Sequence, residues 1–252
     1  MLNYLEQRLS FKPTSTDYGG LTRFNAAQFR FGGEFGLDLD GAFFGSSSRY
    51  AVLFIHGNKH NLTKFAAHYQ LFSSIGAACL CFDYPGYGAS SGAPSEERLY
   101  ASARAAYSHL RYELGYAPEQ IIVYGCSMGG AVALELLQHV PAAGLITEST
   151  FTNSLDMSRF LYPYLPVWKL VPNRFRNDQR MLRLRMPLFM IHGEADLVVP
   201  VTMAHQLYAL ASCEKSLMIV PRATHINSIE LGAEPLRAAV ASFIDKNVTV
   251  TN

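Results

Sequence analysis

Two kinds of apolar pattern follow one another along the chain. From Asn25 to Phe44 apolar and polar residues alternate between glycines, as in Ala27-x-Phe29-x-Phe31 and Leu37-x-Leu39, the period of one or two antiparallel strands with one wet face. From Tyr50 to Ile55 the alternation stops and the run is apolar throughout, as a strand covered on both faces requires. Similar runs recur at Ala78 to Phe82, Ile121 to Tyr124, Gly144 to Thr147, Leu188 to Ile191 and Leu217 to Val220, with helix-like segments between them. This repetition predicts an α/β fold with a mostly parallel central sheet and helices on both faces.

The helices are marked by their ends. After Pro94, Ser95 is placed to cap a helix, with Glu96 and Glu97 at its positive end, Leu99, Ala103, Ala106 and Leu110 on one face, and Gly115 as its stop. A second is predicted from about Leu62 to Ser74, with Phe65, Tyr69 and Phe72 inward and Gly76 as its stop; a last one runs from about Ala233 to Asp245. The alternation lapses from Thr150 to Met186, a stretch rich in Phe, Tyr, Pro and Arg that reads as a short cap inserted before the penultimate strand. The prediction is one domain over residues 1–252 with a cap at about 150–186.

Composition narrows the function. Of 252 residues, 49% are apolar and 16% charged, which excludes disorder, collagen-like repeats and coiled coils. Lys plus Arg number 21 against 20 for Asp plus Glu, so there is no overall basic field to collect nucleic acid. No apolar run approaches the roughly 18 residues of a membrane span, and the first sixteen residues, with Glu6, Arg8 and Lys12, lack a signal-peptide core. The expectation is a cytoplasmic protein. Cys79, Cys81, Cys126 and Cys213 are too few for a disulfide framework and lack zinc-site spacing, so they read as reduced thiols, and neither a metal nor a cofactor is expected.

The candidate chemistry starts at Gly125-Cys126-Ser127-Met128-Gly129. This G-x-S-x-G follows a predicted strand directly and opens a helix running to about His139, the context of a nucleophile elbow. A serine hydroxyl needs a base, normally a histidine held by a carboxylate. Of the eight histidines, His225 follows the last strand after a short loop and so lies at the sheet edge where Ser127 lies. His56 and His192 end strands beside glycines and read as loop braces, while His60, His68, His109, His139 and His205 read as surface residues of helices or their approaches. The acid belongs after the penultimate strand, where His192-Gly193-Glu194-Ala195-Asp196 offers two carboxylates, and Asp196 is preferred. Glu148 is a weaker contender, and Asp83 reads as a turn residue. The amides of Met128 and of Asn58, in His56-Gly57-Asn58, are the candidate oxyanion donors.

With these motifs and Phe82-Asp83-Tyr84-Pro85-Gly86-Tyr87-Gly88-Ala89-Ser90 and Thr224-His225-Ile226-Asn227, the chain resembles the α/β-hydrolase superfamily. The branch is that of bacterial serine esterases, serine-aminopeptidase-like hydrolases and ABHD-type acyl-protein thioesterases. The resemblance runs from about Ala51 to Ile244. It implies an α/β-hydrolase fold and a cofactor-free serine hydrolase cleaving carboxylic esters or thioesters of small molecules through an acyl-enzyme. A peptidase or amidase of the same fold, and a non-catalytic binding protein, are the alternatives; the oligomeric state is not indicated.

The cap aromatics Phe151, Phe160, Tyr162, Tyr164, Trp168 and Phe175 either line an acyl pocket above Ser127, with Phe151 and Trp168 as substrate contacts, or bury the cap on the sheet edge. From Lys169 to Arg185 six basic side chains face Asp178 alone, and the spacing of Arg176, Arg180 and Arg183 predicts one shared helical face. That face is either solvated surface or an anion-recognising stripe.

Overall fold

A computed structural model describes residues 11–169 and 172–249; residues 1–10, on which most of the signal-peptide reading rests, lie outside these. The main sheet comprises β1 (Ala27–Gly33), β2 (Leu37–Phe44), β3 (Ala51–Ile55), β4 (Ala78–Phe82), β5 (Ile121–Cys126), β6 (Gly144–Glu148), β7 (Leu188–Gly193) and β8 (Lys215–Val220). Their spatial order is β8-β7-β6-β5-β3-β4-β2-β1. From β4 through to β8 every pairing is parallel, whereas β1 with β2 and β2 with β4 pair antiparallel. The mixed sheet follows from the two sequence patterns: the half-wet alternating strands form the antiparallel edge, and the unbroken apolar runs of β3 to β7 are buried along their whole length.

Because strand side chains alternate between faces, β3 divides its residues between two cores. Leu53 and Ile55 pack on one side with α2 (Glu96–Ser108) and α3 (Met128–Leu136), through Leu99, Ala103, Ala106, Ala131 and Leu134. Val52 and Phe54 pack on the other with α1 (Ala66–Ser74), through Tyr69 and Phe72, and with residues of the last helix, through Leu236, Val240 and Ile244. Ser95 caps α2 by accepting from Arg98 N at 3.3 Å. The chain then continues in a wider turn over His109–Glu113 before Gly115 ends it at φ 79°.

Three helix boundaries differ from the sequence pattern. Asn61 caps a tight turn at Leu62–Lys64, and Phe65 leaves helical geometry, so α1 starts only at Ala66. After α4 (Ser154–Leu161), α5 (Asn177–Met181) and α6 (Val201–Leu210), the closing helix α7 (Ser228–Asn247) begins five residues before Ala233. It breaks at Ala233 (φ 41°), two residues before Pro235, whose ring and missing N–H interrupt the ladder. Helix α3 stops at Leu136, short of His139.

The segment between β6 and β7 carries α4, a turn at Val167–Lys169, and α5. Its basic residues do not form the predicted stripe. Helix α5 has five residues, Arg176 precedes it and pairs with Asp178 at 3.0 and 3.1 Å, and Arg183 follows it. Arg180 lies over the Tyr100 ring at 4.8 Å. Among the described residues no helix is long and apolar enough to cross a membrane. All four cysteines are free thiols; Cys213 is half-buried and the other three are buried.

Candidate active site

Parallel strands end on one edge of a sheet, so the loops after β3, β5, β7 and β8 meet there. Ser127 occupies the turn between β5 and α3 at φ 54°, ψ −116°, a conformation that costs a non-glycine residue about 1–3 kcal/mol. The turn is held by Ser127 N donating to Glu148 O at 2.7 Å and by Gly130 N donating to Ser127 O at 3.0 Å. It is also tight: a Cβ on Gly129 would fall on the Ile55 carbonyl oxygen, 2.6 Å from its carbon and 2.7 Å from His56 O.

The structure brings Ser127, His225 and Asp196 together. Ser127 Oγ lies 3.0 Å from His225 Nε2, and His225 Nδ1 lies 2.8 Å from Asp196 Oδ2. Asp196 Oδ1 accepts from Val198 N and Val199 N, both at 2.9 Å. Burial pushes the Asp196 carboxyl upward, but the hydrogen bond and charge of His225 and the two amides outweigh it and hold it below its ordinary value. Asp196 is thus an acceptor able to fix which His225 nitrogen carries the hydrogen. The Asp196 side chain is fully buried while that of His225 is 17% exposed, so solvent reaches the imidazole and not the acid.

The loops carrying these two residues fit because Gly193 has no side chain: a Cβ there would lie 2.5 Å from Ala223 O. Ala195 N donates to Ala223 O at 2.8 Å, and Asn227 Oδ1 accepts from Thr224 N and Thr224 Oγ at 2.7 and 3.0 Å, closing the His225 turn. His192 is a brace, as read, donating from Nε2 to Val199 O at 2.8 Å. Burial chiefly lowers its pKa, which keeps it neutral beside Asp196. Glu194 points away and accepts from Arg222 N at 3.1 Å.

Glu148 makes no hydrogen bond with His225, whose partners are Asp196 and Ser127. It is buried, and its Oε2 accepts from Tyr124 OH at 2.8 Å and faces His68 Nε2 at 2.7 Å. Burial raises this carboxyl, yet the pull of His68 and Tyr124 leaves it below its ordinary value. His68 is therefore buried, correcting its reading as a surface residue. The signal was present, since His68 stands three after Phe65 and four before Phe72 on the apolar face of α1.

Asp83 serves the turn, accepting from Leu62 N at 2.7 Å. Cys126, His68 and Glu148 place possible ligand atoms within 4.8 Å of one another. The Glu148 oxygen is already shared by two partners, His68 and Tyr124, and burial with the nearby carboxylates pushes the Cys126 thiol far up.

The candidate oxyanion donors belong to two segments that adjoin Ser127, the start of α3 and the loop after β3. Met128 opens α3, where the first amides have no partner within the helix. The Gly57 side of the loop after β3 touches the elbow, a Cβ there lying 3.3 Å from Ser127 Cβ. Of the candidate substrate contacts, Phe151 is buried in the core with its ring 6.0 Å from that of Phe175. Trp168 is half-buried, with Arg159 and Lys169 each 5.3 Å from its ring. Phe160, Tyr162 and Tyr164 are exposed. Sequence reasoning missed the hydroxyls of Tyr84 and Tyr87, fully buried residues beside the His56-Gly57-Asn58 loop, although both lie in the quoted Asp83 to Ser90 motif.

Comparison with known proteins agrees with this architecture. The family model described as alpha/beta hydrolase fold matches residues 50–180. An uncharacterized protein of Mycobacterium tuberculosis (strain ATCC 25618 / H37Rv) is 31% identical over 218 residues, covering 85% of this chain and 78% of that protein. Alpha/beta hydrolase domain-containing protein 17C of Homo sapiens is 34% identical over 197 residues, 75% of this chain but only 56% of that protein. Among solved structures, the esterase Pf2001 of Pyrococcus furiosus superposes with a TM-score of 0.78 at 19% identity, covering 95% of this chain and 97% of that one. In sequence and in fold, the chain belongs to the α/β-hydrolase family.

Proposed function

We propose that this hydrolase cleaves carboxylic esters or thioesters of small molecules with Ser127 as nucleophile, His225 as base and Asp196 as its orienting acid. The observation that carries the reading is the continuous relay from Ser127 Oγ through His225 to a fully buried Asp196, begun at a strained serine. As Oγ attacks the substrate carbonyl carbon, its proton passes to His225 Nε2, and the carbonyl electron pair moves onto oxygen. The amides of Asn58 and Met128 would receive that oxyanion. Collapse expels the alcohol or thiol, protonated by His225, and leaves Ser127 acylated. Water, deprotonated by the same imidazole, then releases the acid and restores the hydroxyl. On this reading residues 150–186 form a cap beside the site of a single hydrolase domain.

A fluorophosphonate probe together with a panel of matched p-nitrophenyl esters, thioesters and anilides tests the proposal. The expected result is labelling at Ser127, turnover of esters or thioesters above anilides, and loss of both labelling and turnover in Ser127→Ala, by roughly 10⁴-fold or more. Anilide turnover equal to that of esters would favour an amidase. No labelling and no turnover would favour a binding protein.

A further inference from the structure

Three successive carbonyls of the loop after β3 are each held by a hydrogen bond. His56 O accepts from Tyr84 OH at 2.8 Å, Gly57 O faces His56 Nδ1 at 2.8 Å, and Asn58 O accepts from Tyr87 OH at 2.8 Å. The Asn58 side chain is held as well, since its Oδ1 lies 3.0 Å from Tyr87 OH and accepts from Lys12 N at 3.2 Å. Beyond it, Lys59–His60 pairs in parallel with Lys12–Pro13, so the chain on the far side of Asn58 is also tied down. A peptide unit is planar and trans, so a fixed C=O fixes the N–H of the next residue on the opposite side. Holding Gly57 O sets the direction of Asn58 N–H, and holding the carbonyls before and after it blocks the crankshaft rotation that would turn the unit over.

We infer that Tyr84 and Tyr87 are positioning residues that lock the His56-Gly57-Asn58 loop in the orientation needed to receive an oxyanion. This rests on the function proposed above and adds a second requirement to it. Both rings are fully buried and both come from the loop after β4, which Asp83 and Ser90 close through Ser90 Oγ donating to Asp83 O at 2.8 Å. Burial drives both phenols far up, so each hydroxyl keeps its hydrogen and remains a donor. The donors are stiff because an aromatic ring packed on all sides cannot rotate its hydroxyl away, and a preorganised hole needs no reorganisation as charge develops.

The test compares a trifluoromethyl ketone with the corresponding methyl ketone as inhibitors of the wild type, Tyr84→Phe and Tyr87→Phe. The fluorinated ketone accepts the Ser127 oxygen at its carbonyl carbon, the Ser127 proton passes to His225, and the carbonyl oxygen becomes the anion; the methyl ketone binds without that charge. Each variant is expected to weaken the trifluoromethyl ketone about tenfold or more and to lower kcat by a similar factor, with KM and methyl-ketone affinity within about twofold. Tyr107→Phe is the control. It removes a half-buried hydroxyl that donates to Pro141 O at 2.6 Å, away from the site, and is expected to leave the inhibitor ratio unchanged. Should one tyrosine variant fail to fold, the other carries the test.

Equal loss for both ketones, or no loss for either, would overturn the inference. If the wild type neither forms the adduct nor is labelled at Ser127, the proposed function fails instead. An adduct in the wild type with an unchanged ratio in both variants rejects the positioning role alone.

Discussion

Gly129→Ala is expected to lower stability by about 1–3 kcal/mol, the range for overpacking a filled interior, and to slow labelling of Ser127 about a hundredfold. The added methyl would meet the Ile55 carbonyl group and His56 O, with the carbonyl carbon at 2.6 Å, where ordinary contacts begin at 3.4 Å. Neither obstacle can turn aside, because both are backbone and Ile55 is paired with Gly125 in the centre of the sheet. Relief comes only by separating the start of α3 from the end of β3, by about 1 Å. Those two elements carry Ser127 and the His56-Gly57-Asn58 loop, so the strain opens the gap between the proposed nucleophile and the proposed oxyanion donors. A misplacement of about 1 Å costs on the order of 10²-fold in rate.

Urea denaturation and the labelling rate with a fluorophosphonate measure the two effects separately. Gly76→Ala serves as the comparison: Gly76 has φ 73° but nothing within 4 Å of a Cβ, so backbone strain alone should lower stability without touching the rate. A Gly129→Ala protein with a wild-type urea midpoint and a labelling rate within threefold of wild type would refute the packing argument.

Asp196→Asn should lower kcat by roughly 10³–10⁴-fold with KM little changed, because the amide no longer fixes the His225 tautomer; steady-state kinetics check this, and a near-silent variant would remove Asp196 from the relay. Glu148→Gln should instead destabilise by about 2–4 kcal/mol in urea while changing kcat far less, since it disturbs the buried partners His68 and Tyr124 and not His225. Asp196 and Glu148 are both held below their ordinary values in the folded state, so their contribution is complete above the normal carboxylate range, about 4, and is lost as pH falls through the lowered folded values. The urea midpoint should accordingly drop on acidification below about pH 4, and the drop should be smaller in Glu148→Gln. Ser127→Gly should be more stable than Ser127→Ala by about 1 kcal/mol, because glycine adopts φ 54° without the Cβ penalty; the reverse order of thermal midpoints would mean that the elbow is unstrained.

The strands were legible because burial on both faces demands unbroken apolar runs, and β3, β4 and the start of β5 lie within a residue or two of where those runs stand. Chain order brought Ser127, Asp196 and His225 to one sheet edge before any coordinate was known, since parallel strands must all exit there. Side-chain partners were harder to read. The Arg176, Arg180 and Arg183 spacing is helical in sequence, but Asp178 captures Arg176 and the Tyr100 ring, eighty positions earlier, captures Arg180. The start of α1 slipped because the Asn61 side chain stabilises a tight turn that competes with the helix. The roles of Tyr84 and Tyr87 were not legible, since nothing local reveals that their hydroxyls end on carbonyls nearly thirty residues away.

The relay joins residues that are made at very different times. Ser127 and His225 are 98 positions apart, and β6 and β7 lie between their strands in the sheet. At about 5–20 residues per second, a ribosome needs roughly 5 to 20 s to synthesise the chain between them. Through that interval the elbow can form, but Ser127 lacks its contact with His225, and Asp196 has no imidazole to hold. On the proposed mechanism a growing chain is therefore chemically silent until β8 has added to the sheet. On the proposed mechanism a mechanism-based probe marks only molecules in which β8 has joined the sheet, and passes over those in which it has not.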